Sequence, residues 1–144
     1  MKRSITIFSL TLFVALTIQA QSDLAINQAF EHYGHNRGCK MVVLHNTKFR
    51  GYDLAVYQSL IYRIKGDDIA QMLQTDRKHA KRIREVVNDG RVESGYYMLA
   101  PTSKGLNRYI LFNSQTNSKG VIVYIEGTLS PADIMKICYT KTNQ

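Results

Sequence analysis

His32, His35 and Cys39 are the first residues whose types and spacing could do chemistry. Two histidines three apart share one face of a helix, and a nearby thiolate could join them on a zinc ion. A structural zinc site uses four ligands, however, and Gly34 and Gly38 break the helix that would hold these three in place. Cys39 could instead be a nucleophile served by His32, His35 or His45, yet nothing nearby supplies a third group to orient the histidine. This region carries the enzymatic alternative, a small hydrolase or metal-dependent enzyme. Surface histidines at a helix end are the simpler reading. The paired carboxylates Asp67 and Asp68 stand at a helix start, where capping and the helix dipole account for them. Glu126 and Asp133 flank the last turn, and Asp133 near a helix N-terminus needs no catalytic role. Glycine-rich phosphate loops and a Gly-x-Ser-x-Gly elbow are absent, so no cofactor is expected.

Three other groups of residues invite a function. Cys39 and Cys138 are the only cysteines. A bridge between them would close a loop of about 100 residues, worth up to ~4.7 kcal/mol in the chain-entropy model; the alternative is two buried free thiols. Arg77, Lys78, Lys81, Arg82 and Arg84 would form one basic arc if residues 77–87 were helical, opposite Ala80, Ile83, Val86 and Val87. Such an arc is either a solvated face or a site for an anionic lipid or glycan. Lastly, strand alternation puts Leu60, Tyr62, Ile64, Val121, Val123 and Ile125 on a core face. Tyr57, Ile61, Arg63, Ile122 and Tyr124 are then left on the other, a face of interface-prone residue types.

The elements that must position these residues follow from periodicity and breakers. Ser22 and Asp23 can cap a helix carrying Ile26, Phe30 and Tyr33, ended by Gly34 and Gly38. Cys39 to Asn46 reads as a strand, residues 47–56 have no clear period, and Tyr57 to Ile64 reads as a second strand. Residues 66–88 have helical spacing, closed by Asp89-Gly90. Asp76 would project into the apolar stripe of a single helix, and a buried unpaired carboxylate is costly, so two helices are expected, the second capped by Thr75 or Asp76. Strands over 91–99, 107–113 and 121–126 follow, then Ser130-Pro131 opening a helix to Tyr139. The order α-β-β-α-α-β-β-β-α predicts an α+β fold, a mainly antiparallel sheet of about five strands with helices on one face.

The ends of the chain add a location. Lys2 and Arg3 precede an apolar run from Ile5 to Ile18 and a small residue at Ala20. This is the pattern of a secretory signal and too short to span a bilayer. Cleavage after Ala20 leaves residues 21–144 as a single domain without an internal linker or repeat. No cysteine stands at the junction, so a lipid anchor has no acceptor there. The 144-residue chain carries +8, and without Lys2 and Arg3 the balance is 17 basic to 11 acidic residues. An exported basic protein meets anionic lipid or glycan more readily than nucleic acid.

The signal ending in Gln-Ala-Gln, the entry helix and the closing Val-Ile-Val-Tyr-Ile-Glu-Gly-Thr-Leu-Ser-Pro-Ala-Asp-Ile-Met-Lys-Ile resemble small exported Bacteroidetes proteins of unknown function. The resemblance implies an envelope or secreted location and an α+β fold, and supplies no catalytic residues. Together these features predict a non-enzymatic binding protein of the envelope, in the periplasm or outside the cell. Its candidate partners are a second copy of the chain, another envelope protein, or an anionic lipid or glycan.

Overall fold

The computed structural model describes residues 23–139. The export signal, its cleavage junction and the Ser22 cap lie outside the described residues. Nine elements follow in order: α1 (Ile26–Tyr33), β1 (Cys39–Phe49), β2 (Tyr52–Tyr62), α2 (Asp67–Arg77), β3 (Lys81–Asn88), β4 (Arg91–Leu99), β5 (Asn107–Thr116), β6 (Lys119–Gly127) and α3 (Pro131–Tyr139). The six strands form one antiparallel sheet in the order β1-β2-β6-β5-β4-β3. The fold is α+β as expected, with one strand more and one helix fewer.

The extra strand is β3, where helical spacing was expected. Its ladder with β4 slips between Arg82 and Arg84 and again between Val86 and Val87. The first slip puts its extra residue, Ile83, in β3 and the second puts Glu93 in β4, and each resets the alternation of faces. Ile83 and Val86 are thereby spaced three apart in an extended chain, which imitates a helical stripe. Asp89-Gly90 does not close a helix. Both residues have positive φ, 49° and 74°, and they join β3 to β4 as a two-residue hairpin turn of the primed kind.

The segment 47–56 is also strand. Arg50 and Gly51, at φ 49° and 86°, turn β1 into β2. Its period is hidden because the pairing of β2 with β6 slips between Leu54 and Val56. Leu54 and Tyr57 pack in the same apolar cluster although an unbroken strand would place them on opposite faces. Opposite this slip, Asn46 of β1 takes a positive φ of 48°.

The sheet is covered on both sides, not one. α1 and α2 pack on the face carrying Leu60, Tyr62, Tyr97, Ile110, Phe112, Ile122 and Tyr124. α3 packs on the other, where Ile134 and Leu129 meet Leu54, Tyr109 and Ile125. Large rings lie flat against the first face because glycines leave room: a Cβ at Gly95 would collide with Tyr97, and one at Gly120 with Tyr62. Asp76 is buried in the last turn of α2 but caps no helix that follows it. Its Oδ1 and Oδ2 accept the Ala25 and Ile26 amides at 2.8 and 2.9 Å, so it caps α1 from across the domain. Ser130 and Asp133 cap α3 reciprocally, each side chain accepting the other's backbone N–H at 3.2 and 2.9 Å.

Ile122 is fully buried beneath α1 and α2. Ile122→Lys therefore places an unpaired charge in the core, a cost comparable with the ~5–15 kcal/mol that holds such a domain together. The expected outcome is loss of a cooperative urea transition by circular dichroism; a normal transition would show that the face is not core.

Candidate interaction surface

The side of the sheet that carries α3 is only partly covered. α3 lies over the end formed by Phe49, Tyr52, Leu54, Tyr109 and Ile125. At the opposite end Val42, Leu44 and Ile61 share this side, since Val42 pairs with Ser59, Leu44 with Tyr57, and Lys40 with Ile61. Val42, Val43, Leu44 and Ile61 are 36%, 41%, 40% and 41% exposed, four large apolar side chains on two adjacent strands. Val43 points to the α1/α2 side, in register with Gln58. β1 is an edge strand, so its outer backbone groups meet no other strand among the described residues.

The residues expected on one face divide between two. Tyr57 and Ile61 lie on the α3 side, Tyr57 stacked on Phe49 with centroids 5.6 Å apart. Ile122 and Tyr124 are buried on the other side, because Leu60 pairs with Ile122 and Gln58 with Tyr124. Arg63 is exposed just past the end of β2. Alternation assigns faces within each strand, whereas the phase between strands is set by their pairing. The basic arc is divided likewise. Arg77 ends α2, Lys78 caps it, and Lys81, Arg82 and Arg84 belong to β3. Lys81 and Arg84 pair with Met98 and Tyr96 on the α3 side, while Arg82 pairs with Tyr97 on the opposite side.

Cys39 packs with the α1/α2 cluster and Cys138 with the α3 cluster, so the sheet separates them and both are free thiols. Burial pushes both thiols up, away from the thiolate that a nucleophile needs. His32 and His35 are exposed at and beyond the end of α1. Among the described residues no three His, Cys, Asp or Glu side chains converge as a metal site. A cleft of about 240 Å³ opens between α2 and the β3–β4 turn, edged by Gln74, Arg77 and Arg91. Its arginines are already engaged, Arg77 with Glu85 and Arg91 with Ser114 and Glu93.

Two buried polar groups escaped the sequence reading. Glu85 of β3 accepts Tyr97 Oη at 2.6 Å and Arg77 Nη1 at 2.7 Å, with Arg82 Nη1 3.6 Å away. Burial alone would raise the Glu85 carboxyl; the Tyr97 hydrogen bond and the two guanidinium groups outweigh it and hold the carboxyl below its ordinary value. Arg108 of β5 is buried and donates from Nε to Tyr124 Oη and from Nη2 to Asp23 Oδ1, both at 2.9 Å. Tyr124 in turn donates to Glu126 Oε1 at 2.5 Å. The signal for Arg108 was a lone charge opening an apolar run, Tyr109-Ile110-Leu111-Phe112, whereas Glu85, set among Lys81, Arg82 and Arg84, carried no such signal. Both networks tie elements together: α2 to β3 and β4 in one, the entry segment to β5 and β6 in the other.

A family model for a family of unknown function, DUF6108, matches residues 13–138. The chain belongs to DUF6108. No curated protein matches this DUF6108 chain. Among solved structures, one of a Pseudomonas aeruginosa protein of unknown function, proposed as a regulator, is similar at 14% identity. The match covers 76% of the DUF6108 chain and 85% of that chain with a TM-score of 0.35, too distant a likeness to bear on function.

Tyr97 connects this geometry to a measurable pH dependence. Burial, then the hydrogen bond to Glu85 and its charge, push the phenol up to about 12, against about 10 in an unfolded chain. A raised folded value means that the stabilisation is complete below about pH 10 and is lost as pH climbs toward 12. Two units correspond to about 2–3 kcal/mol. Urea midpoints should fall across that window, and Tyr97→Phe should flatten part of the fall; the remainder belongs to the other tyrosines that burial pushes up, Tyr124 and Tyr62 among them. An identical slope in the variant would rule Tyr97 out.

Proposed function

We propose that this protein is an exported, non-enzymatic interaction protein of the cell envelope that binds through the open end of its sheet. The observation that carries this reading is the strip of Val42, Val43, Leu44 and Ile61, each more than a third exposed on adjacent strands. Isolated surface apolar residues are ordinary, but Val42, Leu44 and Ile61 together on one side of an open edge, with Val43 exposed on the other side, mark an interaction surface. The polar groups support a non-catalytic role, since the buried Glu85, Arg108 and Asp76 are all consumed in internal hydrogen bonds. Export rests on the charged start, apolar run and small residue of positions 2–20.

Ile61→Lys tests the binding surface. At 41% exposure the substitution should leave folding within about 0.5 kcal/mol of wild type, while partners retained from an envelope extract are lost. An unchanged set of retained proteins would remove this reading.

Export has its own check. Protein purified from the native envelope or culture fluid should have the intact mass of residues 21–144, and a retained Met1 in that material would contradict it.

A further inference from the structure

We infer that the partner of the open strip is a second copy of this chain, docked β1 against β1 in antiparallel fashion to make a continuous twelve-stranded sheet. The inference rests on the reading that the β1–β2 strip is a binding surface, and adds what occupies it. An exposed edge strand is completed by another strand, and β1 offers an unusually open one. From Cys39 to His45 it pairs with β2 without a slip and contains no proline.

The sequence of β1 matches itself in one register. A two-fold axis perpendicular to the sheet keeps each side chain on its own side, so only residues of the same face can stand opposite each other. With Val43 facing its own copy, Val42 stands opposite Leu44, Met41 opposite His45, and Lys40 opposite Asn46. Exposed apolar residues then meet across the junction on both faces, and no like charges are opposed. The neighbouring registers are worse. Centring on Leu44 sets Lys40 against Lys48, and centring on Val42 sets Lys40 against Leu44.

Charge placement agrees with self-docking at this margin. The chain is strongly basic, so two copies repel unless their charges are kept apart. Lys81, Arg82 and Arg84 lie on β3, at the far edge of the sheet from β1. Between Cys39 and Thr47, β1 carries a single Lys.

Charge complementation at Val43 tests the pairing. Val43→Lys and Val43→Glu each place two like charges face to face at the two-fold axis. Analytical ultracentrifugation should show wild type at twice the monomer mass, each variant as a folded monomer, and an equal mixture of the two variants as a dimer again. Amide exchange provides a reading that needs no substitution: protection across residues 39–49 should rise with concentration in the wild type and not in either variant alone. A wild type that stays monomeric throughout a concentration series overturns the inference, as do dimers that persist in both variants or variants that fail to pair when mixed. If the wild type is monomeric yet Ile61→Lys still abolishes retention of an envelope partner, the binding surface stands and only the second copy is excluded. If neither measurement responds, both readings fall together.

Discussion

Strand β6 imposes the constraint from which the rest of the architecture follows. Val121-Ile122-Val123-Tyr124-Ile125 has no polar break, so neither side of the strand can face water at low cost. Both sides are consequently covered. Ile122 and Tyr124 lie under α1 and α2, and Ile125 lies under α3. The two covers are unequal. α3 has nine residues, a length of about 14 Å, whereas the eleven-residue strands β1 and β2 each run about 36 Å. Lying over the Phe49–Leu54 end of those strands, a helix of that length leaves their Val42–Ile61 end open. The open strip is thus a geometric consequence of a two-sided central strand and a short last helix.

The covered side depends on a second long-range device. α1 opens without a side-chain cap of its own, and its first amides would be orphaned beneath a closely packed layer. Asp76 supplies both acceptors from the end of α2, fifty residues away, and so fixes the two helices to one another. Burial raises its carboxyl, while the Ala25 and Ile26 amides pull the other way by stabilising the ionised form. Arg108 holds the same entry segment through Asp23. The start of the described chain is therefore clamped by two charged groups, although α1 itself is only eight residues long.

Much of this was legible from local patterns, and the failures share one cause. Elements unbroken through their middles were readable: α1 from Ile26, Phe30 and Tyr33, β4 to β6 from alternation and turn residues with the slips of β4 and β5 near strand ends, α3 from Ser130-Pro131. What misled was the bulge. Inserting one residue into a strand changes its apolar spacing from two to three, and three is the spacing of a helix. β3 has such an insertion at Ile83 and read as helix; the β2 slip beside Ala55 made 47–56 read as irregular. The candidate surface failed in a related way. Tyr57 and Ile61 were rightly placed together, but Ile122 and Tyr124 were joined to them through an assumed phase between β2 and β6 that only hydrogen-bond register determines. The Asp76 argument shows the converse: the need for a partner for its carboxylate was readable, whereas the identity of that partner, the Ala25 and Ile26 amides, is tertiary information.

The two edges of the sheet show why an interaction is best sought at β1. An open edge invites pairing, and the usual protections are bulges, charges and shortness. β3 has all three: two slips, Lys81, Arg82 and Arg84 in its first half, and eight residues in length. Its one acidic residue, Glu85, is turned inward and satisfied by Tyr97 and Arg77. β1 has eleven residues, a regular first half, and the exposed run Val42-Val43-Leu44. Both edges belong to one sheet and face the same solvent, so burial within the chain cannot explain the difference. Val86 and Val87 are exposed on β3 as well, which shows that apolar exposure is not by itself the distinction. The distinction is that β3's backbone is twisted and crowded by cations where a strand would have to approach, and β1's is not. An edge left flat and apolar beside a well-guarded one is accounted for if the flat edge is where this protein meets another strand.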